Sequence, residues 1–310
     1  MKNAKTNLWG IDLGGTKIEG AVLESTSSPQ VIFRDRLPTE SSQGYDHILQ
    51  QIKKVVDKME SSMGYLPQKI GIATPGTRNP KLGTMRNCNT TCLNGRMLKE
   101  DLEKLLGMEV LMANDANCFA VAEANMGIVK EKFPSAQVVF GVIMGTGVGG
   151  GVVVNGKVIN GFHGIGGEWG HNILDASGGP CYCGKTGCVE KVLAGPALEK
   201  YYLSLGGSPK TMKEIYEVYK LGQDENAKKT IQRMIHFFGM ALSVVVNILD
   251  PDVIVIGGGV GNIDLLYTEG RTSLEKYIFN DKVFDTPMVR PKLGDSAGVF
   301  GAAYLTSGVT

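Results

Sequence analysis

The sequence lacks the features that mark an exported or membrane-bound protein. Its first residues, MKNAKTNLWGIDLGG, contain no apolar core of a signal peptide, and no uninterrupted apolar run approaches the roughly 20 residues of a membrane span. An excess of one charge is also lacking, since 32 Lys and Arg against 31 Asp and Glu give a net charge of +1. A balanced charge gives no indication of binding to nucleic acid or acidic membranes. We therefore expect a cytoplasmic protein with neither of these partners.

The six cysteines include no C-x-x-C pair of the redox type. Three of them follow a histidine in the spacing H-x9-C-x-C-x4-C: His171, Cys181, Cys183 and Cys188. Lasting disulfides are rare in the cytosol, whereas Cys3His is a known structural zinc set, so the spacing predicts zinc with no open coordination position. The alternative is ordinary buried thiols, which is our interpretation of the other three: Cys88, Cys92 and Cys118.

An internal repeat is visible in the glycines. The segments WGIDLGGTKIEGAVLE and FGVIMGTGVGGGVVVN have glycines at 10, 14 and 20 and at 141, 145 and 151, related by a shift of 131. Both segments have the pattern of a strand, a tight turn and a second strand. Two copies of one unit indicate two similar domains. The alternative is chance spacing in a chain with 42 glycines.

Strand and helix patterns alternate along the rest of the chain. YDHILQQIKKVVDKMESSM has the spacing of an amphipathic helix, and DENAKKTIQRMIHFFGMALSVVVNILDP predicts a long helix that ends near Pro251. Short apolar strands lie between them, in QKIGIATPG, MEVLMANDAN and DVIVIGGGVGN. The alternation predicts α/β domains with mostly parallel sheets, whose ligands lie at the carboxyl ends of the strands. The loops at these ends are residues 12–17, 74–77, 114–117, 145–149 and 257–261.

Two of these loops are glycine turns with threonine hydroxyls, DLGGTK and GTGVGG. Their free backbone N–H groups can hold phosphate oxygens because no side chain blocks the approach. Neither turn is a Walker A loop or a Rossmann turn with its later acidic residue. Asp12 at a strand end suits Mg²⁺. The alternatives are a plain turn and a plain turn carboxylate.

Carboxylates in the other loops are candidates for catalysis and ligand binding. Asp115 follows a strand and precedes a helix, so it is either a general base or only a helix N-cap. Glu168 and His171 are three residues apart, on one face if the segment is helical. Glu190 follows Cys188 closely, so a metal at the cysteines would also position Glu190. Such a loop suits a hydroxyl-rich ligand such as a sugar.

Four segments resemble signatures of the ROK family, which joins sugar kinases, uncharacterised reading frames and repressors: GIDLGGTKIEGAV, NDANCFAVAEA, GTGVGGGVVVNGKVINGFHGIGGEWGH and CYCGKTGCVE. The resemblance covers residues 8–305. It implies an α/β fold of two actin-like (ribonuclease H-like) ATPase domains with an interdomain cleft. We expect a smaller domain of residues 1–114 plus about 296–310, and a larger domain of residues 115–295 with the zinc loop.

The resemblance also implies roles for individual residues. The phosphate and nucleotide loops correspond to Asp12, Gly14, Gly15, Thr16, Lys17, Gly145, Thr146, Gly147, Gly258 and Gly259. The sugar contacts correspond to Gly76, Asn114, Asp115, Glu168, His171 and Glu190, with Asp115 as the catalytic base. The zinc ligands correspond to the His171 and cysteine set already described. The implied cofactors are ATP, Mg²⁺ and structural Zn²⁺.

The implied activity is an ATP-dependent hexose kinase that transfers the γ-phosphoryl group of ATP to a 6-hydroxyl. MRNCNTTCLNGRML and LGDSAGVFGAAYL resemble fructokinases of the manno(fructo)kinase type, so we expect fructose, with N-acetylglucosamine kinase or glucokinase as the alternative. Cys92 stands where the family usually has Trp. No acetamido pocket is evident in the sequence.

A different class remains open, because the family includes sugar-responsive repressors and a non-catalytic sugar sensor is conceivable. The first phosphate motif begins at about the tenth residue, which leaves no room before it for a DNA-binding helix-turn-helix. The family resemblance also implies a homodimer.

Overall fold

The computed structural model describes residues 7–281 and 283–308. The chain divides into two compact units. The first contains the chain up to Pro134, Gly151–Gly166 and the chain from Lys292 onward, and the second contains Ser135–Gly150 and Gly167–Pro291. The outermost residues of the expected domains, 1–6 and 309–310, lie outside the described residues.

Strands and helices alternate, as the sequence predicts. The strands in the described residues are β1 (Leu8–Leu13), β2 (Lys17–Leu23), β3 (Val31–Pro38), β4 (Lys69–Thr74), β5 (Thr77–Arg78), β6 (Met85–Arg86), β7 (Glu109–Asn114), β8 (Val138–Met144), β9 (Val148–Val154), β10 (Lys157–Val158), β11 (Val253–Gly257) and β12 (Met288–Val289). The α-helices are α1 (Tyr45–Met63), α2 (Leu98–Leu106), α3 (Asp115–Asn125), α4 (Ile128–Lys132), α5 (Val189–Leu193), α6 (Gly195–Ser204), α7 (Met212–Lys220), α8 (Glu225–Leu249), α9 (Glu269–Glu275) and α10 (Ala297–Tyr304).

The sheet of the first unit has the order β3-β2-β1-β4-β7. The first three strands form an antiparallel meander, and β4 and β7 extend it in parallel with β1. Strands β1, β4 and β7 therefore end at one edge, where Asp12 lies beside Ala73, and Thr74 lies beside Asn114. This edge carries the three predicted loops of the first unit.

Two glycines allow α10 to lie directly on this sheet. Gly10 and Gly71 are register partners in β1 and β4. A Cβ atom at Gly71 would lie 1.7 Å from the backbone oxygen of Ala302, and one at Gly10 would lie 2.4 Å from the backbone nitrogen of Ala303. Both distances are too short for real atoms, so any larger residue would push the helix off the sheet.

The second sheet has the order β10-β9-β8-β11-β12. The positions of its strands along the chain repeat those of the first sheet, and β11 is parallel to both of its neighbours. The repeat suggested by the glycines is therefore present in the topology. Every residue of β11 is buried, as expected for a parallel strand covered on both faces.

The division into units differs from the boundary expected at residue 114. Helix α3 and residues 151–166 belong to the first unit rather than with the rest of the chain between 115 and 295. Helix α3 belongs to the first unit because it packs against α10. A Cβ atom at Gly301 of α10 would lie 1.9 Å from the backbone oxygen of Cys118, so the two helices touch through their backbones.

Among the described residues, α8 is the one helix long and apolar enough to cross a membrane. Within its most apolar window, 61% of the residues are buried inside the fold. Burial of this extent is typical of the core helix of a globular domain.

Candidate functional site

The first predicted phosphate loop is the turn between β1 and β2. The Gly14 N–H donates to the carbonyl oxygen of Lys17 at 3.0 Å, which closes the turn. The Thr39 hydroxyl donates to the carbonyl oxygen of Gly14 at 2.6 Å and fixes the turn from outside. Gly15 and Thr16 are exposed. The backbone at the tip of this turn is therefore accessible, as a phosphate loop requires.

Asp12 lies in an electrostatic setting that favours a bound cation. Burial, followed by the negative charges of Asp115 and Glu19, raises the pKa of Asp12 to about 6, and the positive charges of Lys17 and Arg36 oppose this increase. A Cβ atom at Gly298 would lie 2.6 Å from Oδ2 of Asp12, so the carboxylate is packed against the start of α10. A divalent cation would relieve the repulsion among the carboxylates.

Asn114, rather than Asp115, caps α3. Oδ1 of Asn114 accepts a hydrogen bond from the Asn117 N–H at 2.8 Å, as an N-cap residue does. Asp115 is the first residue of the helix, and its Oδ1 accepts from the Ala116 N–H at 2.8 Å. Of the two roles that the sequence left open for Asp115, the N-cap is therefore taken by Asn114. Asp115 is not needed as the cap.

The surroundings of the Asp115 carboxylate raise its pKa, as suits a general base. The residue has an exposed surface, yet protein atoms close to its carboxylate remove part of the hydration of the charged form. The resulting desolvation raises its pKa, and the hydrogen bond from Ala116 opposes the increase. Asp115 is also close enough to Asp12 to raise the pKa of Asp12, so the structure brings these two predicted residues together in the first unit.

Gly76 lies in the turn after β4 and needs to be glycine. Its carbonyl oxygen accepts from the Thr74 hydroxyl at 2.8 Å. A Cβ atom there would lie 2.6 Å from both the backbone oxygen of Arg86 and Sγ of Cys88. The same Thr74 hydroxyl lies 3.2 Å from the carbonyl oxygen of Ala113, which ties the turn to the strand that leads to Asn114.

The glycine loops of the second unit lie side by side. The Gly145 N–H donates to the carbonyl oxygen of Gly147 at 2.9 Å and closes a tight turn around the exposed Thr146. Gly258 has φ +82°, and a Cβ atom there would lie 2.3 Å from the carbonyl oxygen of Met144. A Cβ atom at Gly145 would lie 4.0 Å from the nitrogen of Gly259, so these loops form one glycine-lined surface.

The predicted zinc ligands converge in the second unit. The ligand atoms of His171 and the three cysteines all lie within 4.8 Å of one another. Nδ1 of His171 lies 3.6 Å from Sγ of Cys181, and the Sγ atoms of Cys183 and Cys188 are 3.5 Å apart. Sulfurs bound tetrahedrally to one zinc at about 2.3 Å would be about 3.8 Å apart. The four side chains therefore fit zinc in chemistry and in spacing.

The same segment contains a false motif. Residues 179–186, GPCYCGKT, match the letters of a Walker A loop. A phosphate loop follows a strand and begins a helix, whereas this segment is irregular chain closed by an isolated bridge between Pro180 and Thr186. The sulfurs of Cys181 and Cys183 belong to the metal-type cluster. The match therefore provides no phosphate site.

Glu190 connects the cysteine loop to the second glycine turn. It lies in the first turn of α5, directly after Cys188. Its Oε2 accepts from the Val148 N–H at 3.2 Å, and a Cβ atom at Gly147 would lie 2.7 Å from the same oxygen. Glu168 immediately precedes a single 3₁₀ turn, Trp169–His171, rather than lying within an α-helix.

Tyr182 is a residue of this cluster that sequence reasoning missed. Its hydroxyl lies 2.9 Å from Nε2 of His171, and the two rings meet edge to face. Most of the ring is exposed, but burial of the hydroxyl end and the charges of Glu190 and Glu168 raise its pKa. Its position between Cys181 and Cys183 could have identified it, because a side chain between two predicted ligands must lie beside the predicted metal.

Comparisons with known proteins agree on one family. A sequence model of the ROK family matches residues 8–309. An N-acetyl-D-glucosamine kinase of Vibrio atlanticus is 37% identical over 309 residues, which cover 96% of this chain and 98% of that protein.

Two solved structures extend the comparison. A ROK hexokinase from Thermus thermophilus is similar with a TM-score of 0.84 and 29% identity, over 96% of this chain and 97% of the other. A ROK family glucokinase from Streptomyces griseus, in complex with glucose and AMPPNP, is similar with a TM-score of 0.76 and 26% identity, over 96% and 98% of the two chains. The likeness confirms the predicted actin-like fold.

Proposed function

Because the chain belongs to the ROK family and its relatives are named sugar kinases, we propose that it is an ATP-dependent kinase that phosphorylates the 6-hydroxyl of N-acetylglucosamine. The proposal that the chain is catalytic rests on the surroundings of Asp115. Its pKa is raised, it is free of the capping role, and it lies close to Asp12.

The choice of sugar departs from the first prediction. The sequence segments favoured fructose, with N-acetylglucosamine as the alternative. The curated relatives support the alternative, since N-acetyl-D-glucosamine kinases at 33% and 37% identity match nearly the full length of the chain.

The mechanism follows from the positions of the carboxylates. Asp115 accepts the proton of the 6-hydroxyl while the hydroxyl oxygen bonds to the γ-phosphorus of ATP and the bond to the β-phosphate oxygen breaks, releasing ADP. Asp12 would hold Mg²⁺, which would supply positive charge to neutralise the phosphates. In the turns at Gly14–Lys17 and Gly145–Gly147, the exposed tips at Gly15, Thr16 and Thr146 provide the N–H groups for phosphate oxygens. Positioning supplies most of the remaining rate enhancement.

Zinc has a structural part in this proposal. With four protein ligands, the ion would have no open position for a substrate. It would fix the loop from His171 to Cys188, and therefore the start of α5 with Glu190. We infer that Glu168, His171 and Glu190 bind sugar hydroxyls from this supported loop. The family resemblance implies the same role for Asn114 and Gly76.

Two further expectations concern the oligomeric state and the location of the protein. The resemblance to the ROK sugar kinases supports a homodimer and a cytoplasmic location. A non-catalytic sensor is the competing function. A ROK transcriptional regulator is similar at 22% identity, and that likeness bears on the fold alone.

A coupled assay of ADP release tests the proposal. The purified protein is incubated with Mg²⁺, ATP and one of five sugars: N-acetylglucosamine, fructose, mannose, glucose or N-acetylmannosamine. We expect the highest kcat/KM for N-acetylglucosamine, by at least about tenfold over fructose, a difference of about 1.4 kcal/mol in transition-state binding. A preference for fructose would restore the first prediction. Sugar binding without ADP release from any hexose would indicate a sensor.

A further inference from the structure

A cavity of about 290 Å³ begins at Asn114 and follows the free edge of β7 within the first unit. Strand β7 is the last strand of its sheet, so this edge has no neighbouring strand. Leu111 and Ala113 of β7 provide apolar wall, and Asn160 and Gly161 close the cavity from the loop after β10. The cavity therefore extends away from the residue next to the candidate base.

Three residues that line this cavity each carry a buried polar atom with no partner in the described part of the chain: Thr77, Asn117 and Arg78, whose Nε is the third such atom. Thr77 is 7% exposed and Asn117 is 3% exposed, and both line the cavity. Oγ1 of Thr77 and Oδ1 of Asn117 make no hydrogen bond within the described residues. Buried polar atoms are almost always paired, because an unpaired one loses its hydration without compensation. One hydroxyl donor, one carbonyl acceptor and the Nε–H donor of Arg78 thus remain unsatisfied in the same place.

The charged residues at the cavity indicate a neutral ligand. Arg78 and Lys99 line it, but each lies beside a carboxylate. Arg78 is bonded to Glu100, and Nζ of Lys99 lies 3.5 Å from Glu103. Because a carboxylate already balances the charge of each cation, an anionic group such as a phosphate or a carboxylate would gain little there, and the unpartnered Nε–H of Arg78 suits a neutral acceptor equally well. A neutral group with a donor, an acceptor and a small apolar end fits better.

We propose that this cavity receives the acetamido group of the sugar and that Thr77 and Asn117 determine the preference for it. The inference rests on the proposed phosphorylation of N-acetylglucosamine. The amide N–H donates to Oδ1 of Asn117, the acetyl oxygen accepts from the Thr77 hydroxyl, and the methyl group packs against Leu111 and Ala113. Each of the two oxygens is itself shielded from solvent, so binding requires a side-chain rotation, a common change at binding sites.

The cavity provides space for an acetamido group, which the sequence analysis did not find. No room for an acetamido group is evident in the sequence, where the visible change in size is Cys92 in place of the usual Trp. Cys92 does not line the cavity, and its Sγ lies 3.8 Å from the carbonyl oxygen of Ser41 instead. The space is formed by the edge of β7 and the loops beside it, without a contribution from that substitution.

The first test compares two sugars in matched variants. Thr77→Val removes the hydroxyl and keeps the shape of the side chain. We expect the ratio of kcat/KM for N-acetylglucosamine to kcat/KM for glucose to fall about tenfold, because only the acetamido sugar loses a partner. Thr306→Val is the control, since Thr306 is also 7% exposed in the first unit and does not line the cavity. It should leave the ratio unchanged.

A second variant and a substrate series keep the test decisive if Thr77→Val fails to fold. Leu111→Phe fills the apolar wall and should lower the same ratio about tenfold. With the wild-type chain, enlarging the acyl group of glucosamine from acetyl to butanoyl to hexanoyl should lower kcat/KM stepwise once the cavity is full.

The outcomes separate the two proposals. An unchanged ratio in both variants, or indifference to acyl length, overturns the cavity assignment while leaving the kinase proposal intact. A wild-type chain that does not phosphorylate N-acetylglucosamine overturns both.

Discussion

Oε2 of Glu190 accepts a hydrogen bond from the backbone N–H of Val148 at 3.2 Å, which joins the helix after the cysteine loop to the glycine turn. One side chain thus contacts a predicted phosphate loop and belongs to the predicted sugar site. Replacing it should therefore affect both substrates.

We expect Glu190→Ala to raise the KM of ATP as well as the KM of the sugar, each about tenfold. Glu190→Gln keeps a carbonyl oxygen that can accept from Val148, so it should restore the KM of ATP more fully than the KM of the sugar. Steady-state kinetics with each substrate varied in turn measure both effects. A change confined to the sugar would show that the bond to Val148 has no part in nucleotide binding.

Asp115→Asn should remove turnover and leave the fold intact. The amide has the same shape but cannot take the proton, so kcat should fall at least about 10²-fold. Thermal unfolding should change little, because Asn114 provides the cap of α3. In the wild-type enzyme, the raised pKa of Asp115 should move the acid limb of kcat against pH above the usual 3.8 of an aspartate, since the base must be ionised. Near wild-type kcat in the variant would contradict the base assignment.

Asp12→Asn should abolish the use of Mg·ATP and yet stabilise the protein at neutral pH. The pKa of Asp12 is raised from 3.8 to about 6, so the folded state binds its proton more tightly than the unfolded state does. The stability this group contributes is complete below about pH 4 and is lost as the pH rises through about 6. Removing the charge should increase the free energy of unfolding at pH 7 by about 2 kcal/mol, allowing for partial solvent exposure.

Urea unfolding in the presence of a chelator of divalent cations measures this effect. The gain should shrink as the pH is lowered towards 4. Asp35→Asn is the matched control, because the hydrogen bond from Lys58 lowers the pKa of Asp35 and its replacement should not stabilise. A loss of stability in Asp12→Asn at pH 7 would contradict the electrostatic account.

The purified chain should contain about one equivalent of zinc. Cys183→Ala should lose it, and the free energy of unfolding and the activity should fall together, because the loop that positions Glu190 would lose its anchor. Cys92→Ala is the control, since Cys92 lies outside the cluster and should retain the metal. Elemental analysis and unfolding curves provide the readout. Less than half an equivalent in the wild type, with full activity in Cys183→Ala, would remove the site from the mechanism.

Tyr182→Phe should weaken zinc binding about tenfold without loss of folding. The hydroxyl lies against Nε2 of His171 and leaves Nδ1 to face the cysteines, and such outer partners fix the orientation of a ligand. Competition with a chromogenic chelator measures the zinc affinity. Tyr219→Phe, in α7, is the control because Tyr219 stacks on Tyr216 and is not part of the cluster. Equal zinc affinity in wild type and Tyr182→Phe would show that the contact is incidental.

The sequence predicted the parts of this molecule that depend on local periodicity. The amphipathic segment Tyr45–Met63 forms α1 over its full length, because its apolar spacing requires one buried face. The H-x9-C-x-C-x4-C spacing predicted the convergence of four metal-type ligands within one short loop.

The features that the sequence analysis missed depend on exact backbone geometry or on residues distant in the chain. Asn114 and Asp115 are both good capping residues, and only the backbone geometry decides which of them caps α3. The cavity beside β7 is bounded by residues from 74 to 164, so no single segment carries its pattern. Residues 151–166 likewise belong to the first unit through tertiary packing, which the local sequence does not reveal.

The contact of α10 with Gly10 and Gly71 constrains how the chain folds during synthesis. Strands β1 and β4 leave the ribosome early, but the helix that covers them follows roughly 220 residues after Gly71. At about 5–20 residues per second, the wait is on the order of 10–45 seconds. During that time one apolar face of the first sheet has no cover, so the nascent chain should depend on a holding chaperone until the last helix has been made.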